Sequence, residues 1–567
     1  MKNIVKLFLA LSIVIYLGGC TDDYLDVNKD PNRPTAPELN QLLSGSEYYM
    51  VQALSQGDFI GQGLASYVHY LNPREDSNYG MGPGANNPYN SWNYLYTYVL
   101  NDYEAIIEYA EPDENLIYVG IAKTLKAYAF SVMVDIWGDI PYSEFNNEEI
   151  TAPKPDSSKD IYNALIALLE EGRADFQNTG AANGIKPGKD DFFYGGDVDK
   201  WIRLNNTIKL RLLLHSRKAK SDITDWQGKF NALITENAFI TTDEEGNPED
   251  FQFWYNNVTS PAYERHPAYS SYTGQHTHYI SPFFYETMMG QTYNTTDNPF
   301  AGIKDPRVPY YFYNPMKSNE EPPNGYEYRN GNFLSIFFAT MGPNAGQDNR
   351  HMFTKYSIYP IGGKYDDGNG GRVEVGGDVG TLGTGIAPHK MITYAALKFM
   401  LAELVLTGEM TGDARAYLSD GISAAIDHVH SVIDKNGSAN PAPKISDDDR
   451  EKYIDAVLAK YDAANAEGKM RIVMTQKWIH NFMNPIDAYT DYRRTGYPVL
   501  FDPNKTQDPG YGVNPSGDTE KSDARVELST MASYPRSLYY PTNSETELNV
   551  NMPQKNNVSV PLVFWDK

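Results

Sequence analysis

Apolar residues recur at spacings of three and four along most of the chain, which predicts a chiefly helical protein. Between Glu114 and Trp137, residues Ala122, Leu125, Ala129, Val132, Met133 and Ile136 form one such stripe, with Lys123 and Lys126 off its centre. From Tyr128 onward the apolar positions wrap most of the circumference, so that end of the helix is expected to be deeply buried. Trp201, Leu204, Ile208 and Leu212 make a second stripe, flanked by Arg203, Lys209 and Arg211. Met391 to Leu406 is rich in Ala and Leu and carries Glu403; Asp413 to Asp434 follows after a short turn containing Gly, which predicts a helical hairpin. Ser446-Asp447-Asp448-Asp449 reads as a serine N-cap followed by acids that complement the helix dipole, rather than as a metal site.

Helices that end in short turns and meet a neighbour suggest stacked pairs in the manner of tetratricopeptide repeats. The strict repeat signature is absent. Two stretches break the helical pattern. From Asn72 to Trp92, Arg74, Tyr79, Tyr89 and Trp92 stand among Gly, Pro and Asn. From Asp243 to His389, Pro, Gly, Asn and Tyr dominate. Long loops on a helical scaffold usually carry function. The fold class expected is mostly α: tetratricopeptide-like helical pairs packed against a loop-rich irregular half with few short strands.

The N-terminus has its own pattern. Lys2 and Lys6 precede an apolar run, Leu7 to Leu17, broken only by Ser12 and Tyr16. This is shorter than the about 20 residues needed to span a bilayer core and suits a signal peptide. Leu17-Gly18-Gly19-Cys20 then looks like a lipobox, and Cys20 is the sole cysteine of the 567 residues. The expected organisation is a signal peptide at 1–19, a lipidated N-terminus and tether at 20–40, and a single domain at 41–567. Its long loops lie near 72–92 and 243–389. With Cys20 lipidated, no thiol remains for a disulfide or for thiol catalysis. Stable anchoring requires more than one acyl chain, as a bacterial lipoprotein cysteine carries. The polar, acidic segment Thr21-Asp22-Asp23-Tyr24-Leu25-Asp26 resembles the surface-export signal of Bacteroidota lipoproteins.

Composition narrows the partners. A formal net charge of −25 and a pI near 4.8 argue against nucleic acid and against anionic lipid surfaces. The body contains no second long apolar run. The unusual count is 44 tyrosines, beside 7 tryptophans. Tyrosine combines a flat apolar face with a polar tip, and sugar rings combine apolar C–H faces with polar rims. Aromatic side chains in the two loops are therefore the candidate ligand surface: Arg74, Tyr79, Tyr89 and Trp92 from the first, and Tyr269, Tyr272, His276, His278 and Tyr279 from the second. Trp92 also begins an apparent helix, where it suits a core position equally well.

The chain contains no H-E-x-x-H helix, no G-x-S-x-G elbow and no P-loop. Gly380 to Gly385 is glycine-rich without the spacing of a nucleotide loop. His276 and His278 alone do not complete a zinc site. Asp366-Asp367-Gly368-Asn369 has the oxygens of a calcium loop but no Glu at the twelfth place, and reads as a hairpin turn. No catalytic residue, metal or cofactor is expected, and a structural calcium has no further support.

A set of motifs then points to a family. Asp135-Ile136-Trp137-Gly138-Asp139-Ile140-Pro141-Tyr142-Ser143-Glu144 is similar to the hallmark of the SusD/RagB lipoproteins. Tyr194-Gly195-Gly196-Asp197, Asp305-Pro306-Arg307, Gln476-Lys477-Trp478-Ile479, Asp491-Tyr492-Arg493-Arg494-Thr495-Gly496 and the closing Phe564-Trp565-Asp566 resemble its further elements in order. The resemblance implies a cell-surface nutrient-binding lipoprotein of the outer membrane. It implies delivery of ligand, an oligosaccharide in the first instance, to a SusC-like TonB-dependent transporter. Capture of peptides or another nutrient on the same scaffold is the alternative, followed by a surface glycosidase. The hallmark block itself reads as structural: Gly138 permits the backbone reversal, Pro141 prevents helix continuation, and Asp139 is placed to cap the turn.

Overall fold

The computed structural model describes residues 38–74, 81–272, 278–291, 298–317, 319–321, 328–338, 351–371, 383–438, 441–500 and 534–567. Cys20, the signal segment and the tether up to residue 37 lie outside these, as do Tyr79, His276 and the side chain of Tyr272. The described chain opens as a helix at Leu39, so the last residues assigned to the tether already belong to the scaffold.

The periodic segments are helices where the pattern predicts them. The first stripe is the Leu116–Trp137 helix, buried along nearly its whole length. It is long and apolar enough to cross a membrane, but its surface is packed inside the protein. The second stripe lies in Val198–His215, capped by Asp197. Tyr394–Leu406 and Ala414–Lys435 form the predicted hairpin, with Asp413 capping the second helix. Met391, expected in the first of these, instead belongs to the strand Pro388–Ile392. Ser446 accepts a hydrogen bond from the Asp449 amide, and so caps Asp447–Ala463 as its sequence indicates.

The helices pack in pairs. Leu116–Trp137 lies against Ser158–Gln177, which in turn meets Val198–His215; Tyr394–Leu406 lies against both Ala414–Lys435 and Ala466–His480. Small residues set the closest approach. A Cβ on Gly120 would stand 2.9 Å from the Gly172 carbonyl oxygen, and one on Gly172 would stand 3.2 Å from that of Gly120. The other half consists of short helices and two-stranded antiparallel ladders, among them Leu71–Pro73 with His278–Ile280 and Phe251–Trp254 with Pro388–Ile392. One apolar core runs through both halves.

Buried polar networks fix the helices against each other, and the motif residues form them. Arg211 donates to Asp487 at 2.7 Å and to Asp135 at 3.3 Å, while Trp565 Nε1 donates to Asp135 at 3.1 Å. Arg307 holds Asp305 at 2.6 Å and Gln476 at 3.1 Å. Arg494 bridges Glu403 and Asp491 at 2.8 and 2.6 Å. At the hallmark turn, Gly138 has φ +83°, a conformation that glycine adopts without a Cβ penalty. Asp139 accepts from the Ser158 amide at 2.7 Å, so it caps the next helix rather than its own turn.

Candidate functional site

The two loops proposed from sequence do meet at their bases. In the ladder between them Pro73 lies opposite His278 and Asn72 opposite Tyr279, which brings Arg74 beside the second loop. The aromatic rings assigned to ligand are mostly inside, however. Trp92 is 3% exposed, donates from Nε1 to Glu545 at 2.9 Å and packs edge-on against Trp137. Asn86–Trp92 is part of the helix Asn86–Tyr94, not loop. Tyr269 is 1% exposed, and its hydroxyl donates to the Gly383 carbonyl at 2.9 Å. Tyr279 packs edge-on against Phe353 in a small separate core. The His278 ring pairs with Gln62 at 2.6 Å, and burial lowers its pKa to about 4, so it is neutral. Among the described candidates with rings, Tyr89 alone is exposed. Trp92, Tyr269 and Tyr279 therefore serve as core: each ring gains more from close packing than a loop position could offer.

A different aromatic surface lies open. Tyr48, Phe192 and Tyr263 are 40%, 45% and 50% exposed. With Tyr49, Phe253, Trp254 and Tyr255 they line a cleft of ≈ 900 Å³. Its first wall is the Leu39–Leu54 helix. That helix buries Leu43, Met50 and Val51 and turns Tyr48 and Gln52 to the cleft.

Its second wall is Phe192, and the sequence explains the position. Asp191 is buried and accepts from the amides of Phe193, Tyr194 and Gly196 and from Trp201 Nε1 at 2.7–3.1 Å. The Phe192 amide donates to the buried Glu47 at 2.7 Å. With its backbone clamped on both sides, Phe192 projects outward, edge-on to Phe253 with centroids 5.7 Å apart. Burial pushes the Glu47 carboxyl well above the usual range, and the neighbouring Asp191 charge adds to it.

The floor is the strand Phe251–Trp254. Gln52 donates to the Tyr255 hydroxyl at 3.4 Å, and Lys435 Nζ sits 4.0 Å from the Trp254 ring centre. The rim is the turn Asn256 to Arg265. The Asn256 amide donates to the Glu264 carbonyl at 3.0 Å, Arg265 Nε donates to Asn257 at 2.8 Å, and the Asn256 side-chain amide donates to the Glu264 carboxylate. The cleft thus offers apolar ring faces with one carboxylate, one guanidinium and several amides around them. A mainly aromatic lining with a few placed polar groups is the usual make-up of a small-ligand pocket.

The chain matches one family model over residues 31–514, described as starch-binding and associating with the outer membrane. It belongs to the SusD-like family. Solved structures agree on the SusD-like fold. A chitin-binding protein is 19% identical with TM-score 0.63, covering 94% of this chain and 100% of its own. A SusD/RagB family protein from Bacteroides thetaiotaomicron is 18% identical with TM-score 0.63, covering 94% and 99%. A chitin-binding SusD homologue from Flavobacterium johnsoniae is 19% identical with TM-score 0.59, covering 93% and 97%. No curated protein matches the chain at a significant level. Among the described residues no three His, Cys, Asp or Glu side chains converge as a metal site would require. The Asp366 segment of this SusD-like chain is a turn held by its own carboxylates, which accept from the Gly368 and Asn369 amides.

Proposed function

We propose that this SusD-like protein captures a neutral glycan in the aromatic cleft between Tyr48, Phe192 and Tyr263 and passes it to a SusC-like TonB-dependent transporter. The observation that carries the reading is the cleft itself. Three exposed rings held by a rigid backbone would be a liability on a surface with no ligand, because exposed apolar area disfavours solubility. Rings held in place lose little entropy when a sugar stacks on them. The family description as starch-binding and the chitin-binding names of two structural neighbours support a carbohydrate.

The same reading places the protein at the outer membrane. The Cys20 lipobox provides the anchor, and the acidic tether resembles a surface-export signal. The domain then stands beside the transporter, with the residues before Leu39 as its leash. The rings offer stacking faces, and Glu264 and Arg265 at the rim are engaged by Asn256 and Asn257, so capture without cleavage is the expected chemistry.

Titration calorimetry of malto- and chito-oligosaccharides against the native protein and a Phe192→Ala/Tyr263→Ala variant tests the cleft. Native binding with loss of at least about tenfold in the variant is expected, corresponding to the stacking of one or two rings. Undiminished affinity in a folded variant would show that the ligand sits elsewhere. Release of reducing ends during the titration would favour a glycosidase.

A further inference from the structure

The aromatic surface does not stop at the cleft. Tyr49, on its wall, stacks on Tyr98 with centroids 4.9 Å apart and planes 28° from parallel. Tyr98 in turn meets Tyr94 edge-on at 5.3 Å, and Tyr94 meets Phe59 at 5.0 Å. The outer side of Tyr98 is open, with 40% of the residue exposed. Tyr98 stands where the helix widens to π geometry over Leu95–Leu100, before resuming as Asn101–Ala110. Such widenings cost backbone hydrogen bonding and recur at functional sites.

One helical turn beyond Tyr98 lies Asp102, on the same helix face. A side chain at Gly45, a residue lining the cleft, would touch Asp102 Oδ2 at 3.9 Å. The carboxylate therefore lies against the cleft wall at Gly45, on the helix that carries Tyr98. No hydrogen-bond donor or cation engages it among the described residues, and burial alone pushes its carboxyl up to about 6. A half-buried acceptor with no partner loses solvation without compensation. A hydroxyl group would satisfy it.

We infer that Tyr49, Tyr98 and Asp102 form a second subsite of the cleft, which takes a further unit of a neutral, hydroxyl-rich chain, so that affinity grows with chain length. Tyr98 supplies the stacking face, and Asp102 accepts hydrogen bonds from ring hydroxyls. A neutral chain fits this site where an acidic one does not. The unpaired carboxylate and the net charge of −25 both repel anions. A protein partner fits it less well, since such a patch would present an unpaired acid to a desolvated interface. The inference rests on the carbohydrate reading of the adjoining cleft.

The test is a length series, from disaccharide to hexasaccharide, of chito- and malto-oligosaccharides. It is titrated against the native protein, Tyr98→Ala, Asp102→Ala and the conservative Tyr98→Phe, at low and high salt. The native protein is expected to bind the longest members at least about tenfold more tightly than the disaccharide, with little effect of salt. Tyr98→Ala and Asp102→Ala are expected to erase that gain while changing disaccharide affinity less than about twofold, and Tyr98→Phe to retain it. Equal loss at every length, or no loss at any, overturns the second subsite while leaving the cleft in place. Absence of binding by the native protein to either series overturns the carbohydrate reading beneath it.

Discussion

Asp250 shows how a single residue ties the cleft to the scaffold. It precedes the floor strand Phe251–Trp254 and accepts from the Tyr394 amide at 2.7 Å, so it fixes the strand to the start of a scaffold helix. His428 approaches it at 3.7 Å, but burial first and Lys390 second keep that ring neutral. Burial pushes the Asp250 carboxyl up to about 7, with the Tyr394 amide and Lys390 only partly offsetting it. The sign follows from the unfolded chain, whose carboxyl titrates near ~3.9 and so loses its proton first. The stabilising contribution is full below about pH 4 and is lost as pH rises through about 7. Asp250→Asn keeps the acceptor and removes the titration, so its advantage in melting temperature over the native protein is expected to grow between pH 4 and 8. A difference independent of pH would refute this. Arg211 is the opposite case, since its charge is matched by Asp135 and Asp487. Arg211→Met removes the one cation shared by two buried acids, of which Asp135 keeps the Trp565 hydrogen bond, and is expected to cost about 3–5 kcal/mol in urea unfolding. Arg307, the partner of Asp305, stands in the same motif two residues on, but the partners of Asp135 at Arg211 and Trp565 lie tens to hundreds of residues away and were not legible.

At the scale of elements, the 3.6-residue period specified the helices because each buries one face against a neighbour. The Ser446 cap was legible for the same local reason, since it satisfies an amide three residues on. The pairing of helices depends on contact detail that periodicity does not carry. Gly120 and Gly172 allow the two longest N-terminal helices to touch backbone to backbone. Gly120→Ala would push its Cβ onto the Phe176 ring and the Gly172 carbonyl, at 2.7 and 2.9 Å. Destabilisation of about 1–3 kcal/mol is expected, the range for overpacking, despite the higher helix propensity of alanine. A stabilised variant in a denaturation curve would mean that the helices can separate freely. The floor strand was not legible, because Phe251-Gln252-Phe253-Trp254 is short and its partner Pro388–Ile392 lies over a hundred residues on.

For the whole molecule, the proposed anchor makes its own prediction. Cys20→Ala is expected to leave the fold and glycan affinity unchanged but to release the protein from outer-membrane fractions, as blotting of separated membranes would show. Retention in the membrane at native levels would mean that the proposed transporter partner alone holds it. The sequence by itself determined the helical class, the net acidity and the family. Each of these depends on local pattern or on summed composition. The proposed ligand surface was decided only by tertiary structure. Of 44 tyrosines, those at Tyr269 and Tyr279 look as available in sequence as Tyr48 and Tyr263, yet the first pair is buried and the second open. A tyrosine is indifferent enough to both environments that its neighbours choose for it. The neighbours here come from distant segments: Glu47 and Asp191 clamp Phe192, and the strand Phe251–Trp254 carries Phe253 beneath Tyr48.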